Sequence, residues 1–398
     1  MPREALMTRN AALLAALLGC LSCGFVPAAE GTFPQMSGFG GRVLNPLRVV
    51  TITTPGDPMA AELASFGSAA VQSAWWQSIA TEYALGDPAP SVAATGPDLP
   101  SANVSGADMI KYIGDLITAG GAPKPDGNTV YVLFLPDGVV VDDPSFGLNT
   151  NCNILKGYHN PFDTNGDDFA AIQRCVTQAG SAQLDDATTT ASHEIAEAAT
   201  DPNIGQGWAE PAPSDPPWTS SPWLVLSSGE IADLCEGNYT REGTFLYQRV
   251  WSNHAAATDQ DPCIPLVSTP YFNVSPDNPW YPLAAGASVA INLTGWSTAK
   301  TDDWEIIAGQ VGTSDPTIQF GIQLTSPTRQ LIAGGMYETL NNGRDATLTI
   351  TAPSDADPNT IMVVDVRSFR ESIVVTIPAN GVIDGDLWHD NYVGVYIQ

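Results

Sequence analysis

From about Tyr271 to the C-terminus, Gly, Pro, Asp or Asn interrupts the chain every few residues. The pieces between are short and β-branched: ASVAINLTG, DWEIIAGQV, TIQFGIQLT, ATLTITAP, TIMVVDVRS, SIVVTIPA and VGVYIQ. Runs this short cannot carry helices, but their alternation suits strands with one buried face. About seven such strands predict an all-β sandwich over residues 268–398. That half holds no cluster of catalytic type, and neither half shows a repeat of fixed period.

The preceding half has a different grammar. A chain of 398 residues is long for one domain and comfortable for two. RVVTITTP and NTVYVLFLP read as strands, the second buried on both faces. MAAELASFGSAAVQSAWWQSIATEYAL and SGADMIKYIGDLITAGG carry apolar residues at helical spacing, the latter with a start at Ser105 or Asp108 and a stop at Gly120. CNILKGYHN and DFAAIQRCV flank PFDTNGDD, in which Asn165-Gly166 is a hairpin signal. A further helix is expected from Asp185 or Asp186 to just before Pro202. Residues 30–267 are therefore expected to form an α+β domain. Within them, residues 209–223 are too rich in proline for regular structure and form a long loop.

The N-terminus has Arg3 and Arg9, an apolar run from Ala11 to Leu21, and small residues around Ala28 and Ala29. This is the pattern of an export signal over residues 1–29, so a secreted or periplasmic protein is expected. Cys20 in LLGC leaves lipid attachment as an alternative. Acidic residues number 43 against 15 basic ones, for a formal charge of −28. Such a surface repels nucleic acid and attracts divalent cations. In an oxidising compartment Cys152, Cys175, Cys235 and Cys263 suggest two disulfides. Folding about Asn165-Gly166 brings Cys152 opposite Cys175, which favours Cys152–Cys175 and Cys235–Cys263.

The stretch TTTASHEIAEAATDP holds one of only four histidines. On a helix, His193 and Glu197 point the same way one turn apart, so one metal ion can bridge them. In the HExxH pattern two histidines at this spacing bind zinc, and the glutamate after the first activates a metal-bound water. Glu197 replaces the second histidine here, and a carboxylate is a legitimate zinc ligand. The third ligand is left open. Glu230 in GEIADLC is preferred, with Asp233 orienting a ligand; His159 in KGYHNP is an alternative. Asp201 is another, although two helical turns place it about 12 Å from His193.

Each motif has a plainer reading. Glu194 and Glu197 could solvate an exposed helix face. DTNGDD lacks the glycine and glutamate of a calcium loop and is better read as a turn. Trp208, Trp218 and Trp223 could line a groove or pack the proline loop down. Ser192 beside His193 faces elsewhere on a helix, so no triad is expected.

In combination, ASHEIAEAATDP…GW…GEIADLCEG…VWSN, AWWQSIATEYALG and VYVLFLPDGVVVDD…GYHN resemble a group of secreted bacterial and fungal proteins that are similar to zincin-like metallopeptidases. More distantly they are similar to plant EXORDIUM-like extracellular proteins. The resemblance covers roughly residues 45–265 and not the sandwich. It implies a zincin-like domain and functional roles for His193, Glu194, Glu197, Asp201, Glu230 and Asp233. This sequence has Glu-x-x-Asp where glutamate-type zincins usually have Glu-x-x-x-Asp.

The expectation is thus a secreted zinc hydrolase, one ion per chain, acting on a peptide or protein. Glu194 is its base; His193, Glu197 and Glu230 are its ligands. A non-enzymatic extracellular binding or adhesion protein, its sandwich touching wall or matrix, is the alternative. A glycoside hydrolase using Glu194, Glu197 or Glu230 as a carboxylate pair is a third.

Overall fold

The computed structural model describes residue 33 and residues 35–142, 156–175, 181–209, 229–258, 260–267, 270–299, 303–313, 317–325, 330–332, 335–340, 345–369 and 388–398. The stretch expected to be an export signal, with Cys20, together with Cys152, the proline-rich residues beyond Ala209 with Trp218 and Trp223, and SIVVTIPA, lie outside the described residues.

Five strands make the first sheet: β1 (Arg48–Thr53), β2 (Val92–Thr95), β3 (Thr129–Phe134), β4 (Gly157–Pro161) and β5 (Asp168–Ile172). Their order is β2-β1-β3-β5-β4. All neighbours are parallel except β4 and β5, the hairpin expected around Asn165-Gly166. A sheet buried on both faces needs a continuous apolar run, and all six residues of β3 are buried. Its side chains divide by parity. Val130, Val132 and Phe134 join a core with helices α1 (Ala60–Ala70), α2 (Ala74–Tyr83) and α4 (Ser181–Thr200). Tyr131 and Leu133 join another with α3 (Gly106–Thr118).

The local signals explain the helix ends. Ser73 splits MAAEL…EYAL in two: its hydroxyl accepts the Trp76 N–H and caps α2. Ser105 and Asp108 form a capping box at the start of α3. Helix α4 begins four residues before Asp185 and stops at Thr200, ahead of Asp201-Pro202. The acidic turn is a turn, as expected. Asp163 accepts from the Asn165 amide, and buried Asp167 accepts from the amides of Asp126, Gly127 and Thr129.

Beyond α4 a short 3-10 turn (Asp233–Cys235) leads into two antiparallel pairs, β6 (Tyr239–Glu242) with β7 (Phe245–Gln248) and β8 (Val250–Trp251) with β9 (Cys263–Ile264). The Cys235–Cys263 disulfide closes this segment. Cys175 is also disulfide-bonded.

Residues from Phe272 on form two sheets. One holds β10 (Phe272–Pro276), β12 (Ser288–Ser297), β17 (Asp345–Thr351) and β14 (Gly321–Thr325), and this is also their order. In the other, β11 (Trp280–Leu283) is followed by β19 (Trp388–Ile397), β18 (Ile361–Phe369), β13 (Trp304–Thr313), β16 (Gly335–Leu340) and β15 (Gln330–Ile332). Ile291, Leu293, Leu348 and Ile350 of the first share one core with Ile306, Val364, Val393 and Val395 of the second. The arrangement is sandwich-like, and the whole chain is mixed α and β. Strands β10, β11, β15 and β16 were not expected from the sequence. Pro276 and Pro282 hide the first two from a reading based on alternation.

The halves touch. Phe33 lies edge-on to Trp251, Tyr271 and Trp296, with centroids 5.6, 6.0 and 5.6 Å away. The Trp388 ring lies against Gly237, where a Cβ would come within 2.4 Å of it.

Candidate metal centre

Three segments converge on one place. Helix α4 supplies His193, Glu194 and Glu197, β4 supplies His159, and the turn at residues 229–235 supplies Glu230 and Asp233. The sheet register explains His159. It pairs with Ala170, whose side chain belongs to the α4 core, whereas Tyr158 points to the α3 core. Gly157 lies on the same face as His159. A Cβ there would meet Thr190 at 2.6 Å and Glu194 at 3.0 Å, so the missing side chain lets the strand edge approach the helix.

His193 Nε2 lies 3.0 Å from Glu197 Oε2 and 3.6 Å from Asp233 Oδ1. His159 Nε2 lies 3.1 Å from Glu230 Oε1, and its Nδ1 lies 3.3 Å from Asp168 Oδ2. The other Glu197 oxygen accepts from the amides of Ala232 and Asp233 at 3.3 and 3.2 Å, which ties the turn to the helix. The Glu230 amide donates to Asp233 at 3.3 Å. Two triplets could hold a metal ion: His193 with Glu197 and Asp233, and His159 with Glu197 and Glu230. Glu197 belongs to both.

A shell behind the turn holds it in place. The Gln248 side chain donates to Ala232 O at 2.7 Å, and the Gln248 amide donates to Ser192 Oγ at 2.8 Å. That hydroxyl also donates to Thr189 O, so Ser192 braces the helix, as expected of a residue outside any triad. The Trp251 amide donates to Ile231 O at 2.8 Å, and Cys235 is pinned to Cys263.

Burial sets the electrostatics. Glu194 is 5% exposed and Glu197 3%. Desolvation raises both carboxyl pKa values against the pull of His193: Glu194 to about 7, and Glu197 well above its usual range. Burial alone would lower the imidazoles. Glu230 and Asp168 around His159, and Glu197 around His193, outweigh it, so both end well above the ordinary histidine value. The carboxylates that hold protons on these imidazoles are equally arranged to hold a cation.

The expected residues fall into place unequally. His193, Glu197, Glu230, Asp233 and the alternative ligand His159 all meet here. Asp233 lies nearer His193 than its expected orienting role required, and Glu230 lies on His159. Asp201 is turned elsewhere: its carboxylate accepts from the amides of Gly205, Gln206 and Gly207 and shapes the exit from α4. Trp208 packs edge-on against Tyr83 with centroids 5.2 Å apart. Asp168 was not singled out from the sequence for this site. Its only signal was its position across the hairpin from His159.

No family model matches the chain, and no curated protein matches it. Among solved structures, the ASH/PapD-like domain 7 of human CEP192 is 8% identical and covers 34% of this chain and 89% of its own, with a TM-score of 0.20. WR4, an MSP family member of C. elegans, is 9% identical and covers 31% and 97%, also at 0.20. Domain 1 of VCBP3 from Branchiostoma floridae is 12% identical and covers 33% and 98%, at 0.19. These scores are too low to bear on function.

Proposed function

We propose that the protein is a secreted metal-dependent hydrolase, with zinc as its ion and peptides or proteins as its substrates. The observation that carries this reading is Glu194. It is nearly fully buried among two imidazoles and several carboxylates, yet it accepts no hydrogen bond among the described residues. A buried carboxylate with no structural partner is poorly explained as scaffold. The donor set fits a divalent ion: imidazole suits zinc, and carboxylates add tolerance for harder ions. His193 and Glu197 would hold it, with Asp233, Glu230 or His159 completing the set.

When bound, zinc polarises a carbonyl and makes water more acidic. The chain does the rest. Glu194, buried beside His193, is placed to accept a proton from the attacking water and return it to the leaving group. Amides 232 and 233 fix Glu197 against His193. A zincin-like fold is part of the proposal; the α4 helix following a strand hairpin supports it. Export rests on the N-terminal pattern, and the disulfides agree with it.

Glu194→Gln should retain the metal and lose about 10²–10⁴-fold in rate against a protein substrate. Undiminished hydrolysis by that variant would overturn the mechanism. The second reading is a binding protein with a structural cation. It is favoured by how completely His159 is enclosed, its side chain only 3% exposed. Metal loss that lowers stability in a protein without hydrolytic activity would support it.

A further inference from the structure

We infer that the centre takes two divalent cations, with Glu197 as the shared carboxylate: one ion held with His193 and Asp233, the other with His159 and Glu230. This rests on the reading of the site as a metal centre and goes beyond the single ion that the helix motif implies.

The first argument is the grouping. The two imidazoles fall in different triplets, each with ligand atoms within 4.8 Å of one another, and Glu197 is common to both. A single ion bound by His193 and Asp233 leaves His159 and Glu230 as a second, ready pair. They come from different elements, β4 and the turn at residues 229–235, so helix α4 alone did not place them together.

Charge is the second argument. Asp168, Glu194, Glu197, Glu230 and Asp233 surround two imidazoles. Among the described residues, Asp168, Glu197 and Glu230 form ion pairs with the imidazoles and with no lysine or arginine. An imidazole that binds a metal must be neutral. Counted formally, the five carboxyl groups then outnumber the charge of one dication. Two bring the count close to balance.

The third argument is Glu194 itself, nearly fully buried, without a hydrogen-bond partner among the described residues, its Oε1 3.0 Å from where a Cβ on Gly157 would lie, on the β4 face that carries His159. Asp168 on His159 Nδ1 is the orienting carboxylate usual behind a ligating histidine, and it leaves Nε2 for the ion.

The test is metal stoichiometry. The full purified protein, stripped with chelator and reloaded with zinc alone, should bind two equivalents by native mass spectrometry. His159→Ala and His193→Ala should each bind one, and Glu197→Ala none. Because alanine variants could unfold, manganese-loaded wild type gives a second readout. A spin-coupled paramagnetic resonance signal is expected, changing to that of an isolated ion in His159→Gln. One equivalent in wild type, unchanged by His159→Ala, would overturn the two-ion centre and leave the one-ion hydrolase standing. Two equivalents retained in His159→Ala, or two manganese ions without coupling, would also overturn it. No bound zinc at all would overturn both readings.

Discussion

Gly157→Ala tests the contact on which the centre is built. A methyl at this position would lie 2.6 Å from Thr190 Cγ2, 3.0 Å from Ala171 O and 3.0 Å from Glu194 Oε1. The first distance is untenable, and neither side can easily withdraw. Gly157 is registered against Ile172 in the sheet, and the Thr190 hydroxyl donates to Asp186 O at 2.9 Å inside α4. Overpacking of this kind costs about 1–3 kcal/mol. Replacing a strand glycine returns roughly 0.5–1 kcal/mol through the unfolded chain. The expected net loss centres on about 1 kcal/mol, within roughly 0–2.5, read as a lower denaturant midpoint at unchanged slope. Thr190→Ser removes the clashing methyl and keeps a hydroxyl, so the double variant should recover at least half of the loss in a mutant cycle. Since His159 is two residues along the same face, metal affinity should fall in parallel. A Gly157→Ala protein more stable than wild type, or strictly additive losses in the cycle, would refute the close strand–helix contact.

Other expectations follow from different parts of the molecule. Asp201→Ala should lower stability by about 1–3 kcal/mol, because it leaves the buried Gly207 amide without its acceptor, while metal content stays unchanged; metal loss would make Asp201 a ligand after all. Cys235→Ser with Cys263→Ser opens a loop of 28 residues, and the chain-entropy relation puts the cost at about 4 kcal/mol, measurable as a fall in unfolding midpoint. In the sandwich, burial and then the neighbouring Asp390 charge raise the Asp365 pKa well above its usual range, while Arg367 pulls it down. A raised folded-state pKa means that its protonated form favours folding below the ordinary aspartate range. That contribution is lost as pH rises through the folded value. Asp365→Asn should therefore melt higher than wild type at pH 7 and lose this advantage near pH 3; an equal effect at both would contradict the assignment.

Acidic surplus and enclosed histidines give this protein its character. A charge of −28 spread over the surface would by itself say little. Within the centre, however, carboxylates are enclosed beside imidazoles, and backbone amides fix two of them, Asp168 and Glu197. If the proposed ions are bound there, removing them should loosen the helix, the hairpin and the turn together.

The sequence alone determined what depends on local chemistry. Helix-period spacing placed His193 and Glu197 on one face of α4. The capping residues Ser105 and Asp108, the Asn165-Gly166 turn and the β-branched runs after Phe272 each specified an element through backbone preferences that operate over a few residues. The tertiary structure decided everything that depends on register across the chain. The β4–β5 pairing turned His159 toward α4 rather than toward α3, and one residue of slip would have reversed it. The Cys235–Cys263 disulfide and the amides of Ala232 and Asp233 on Glu197 hold residues 230–233 on the helix, so that Asp233 came to His193 and Glu230 to His159. Asp201 looked equivalent to these in sequence. It was claimed instead by the amides that follow it, because a carboxylate at a helix end meets its neighbours' N–H groups before any distant partner.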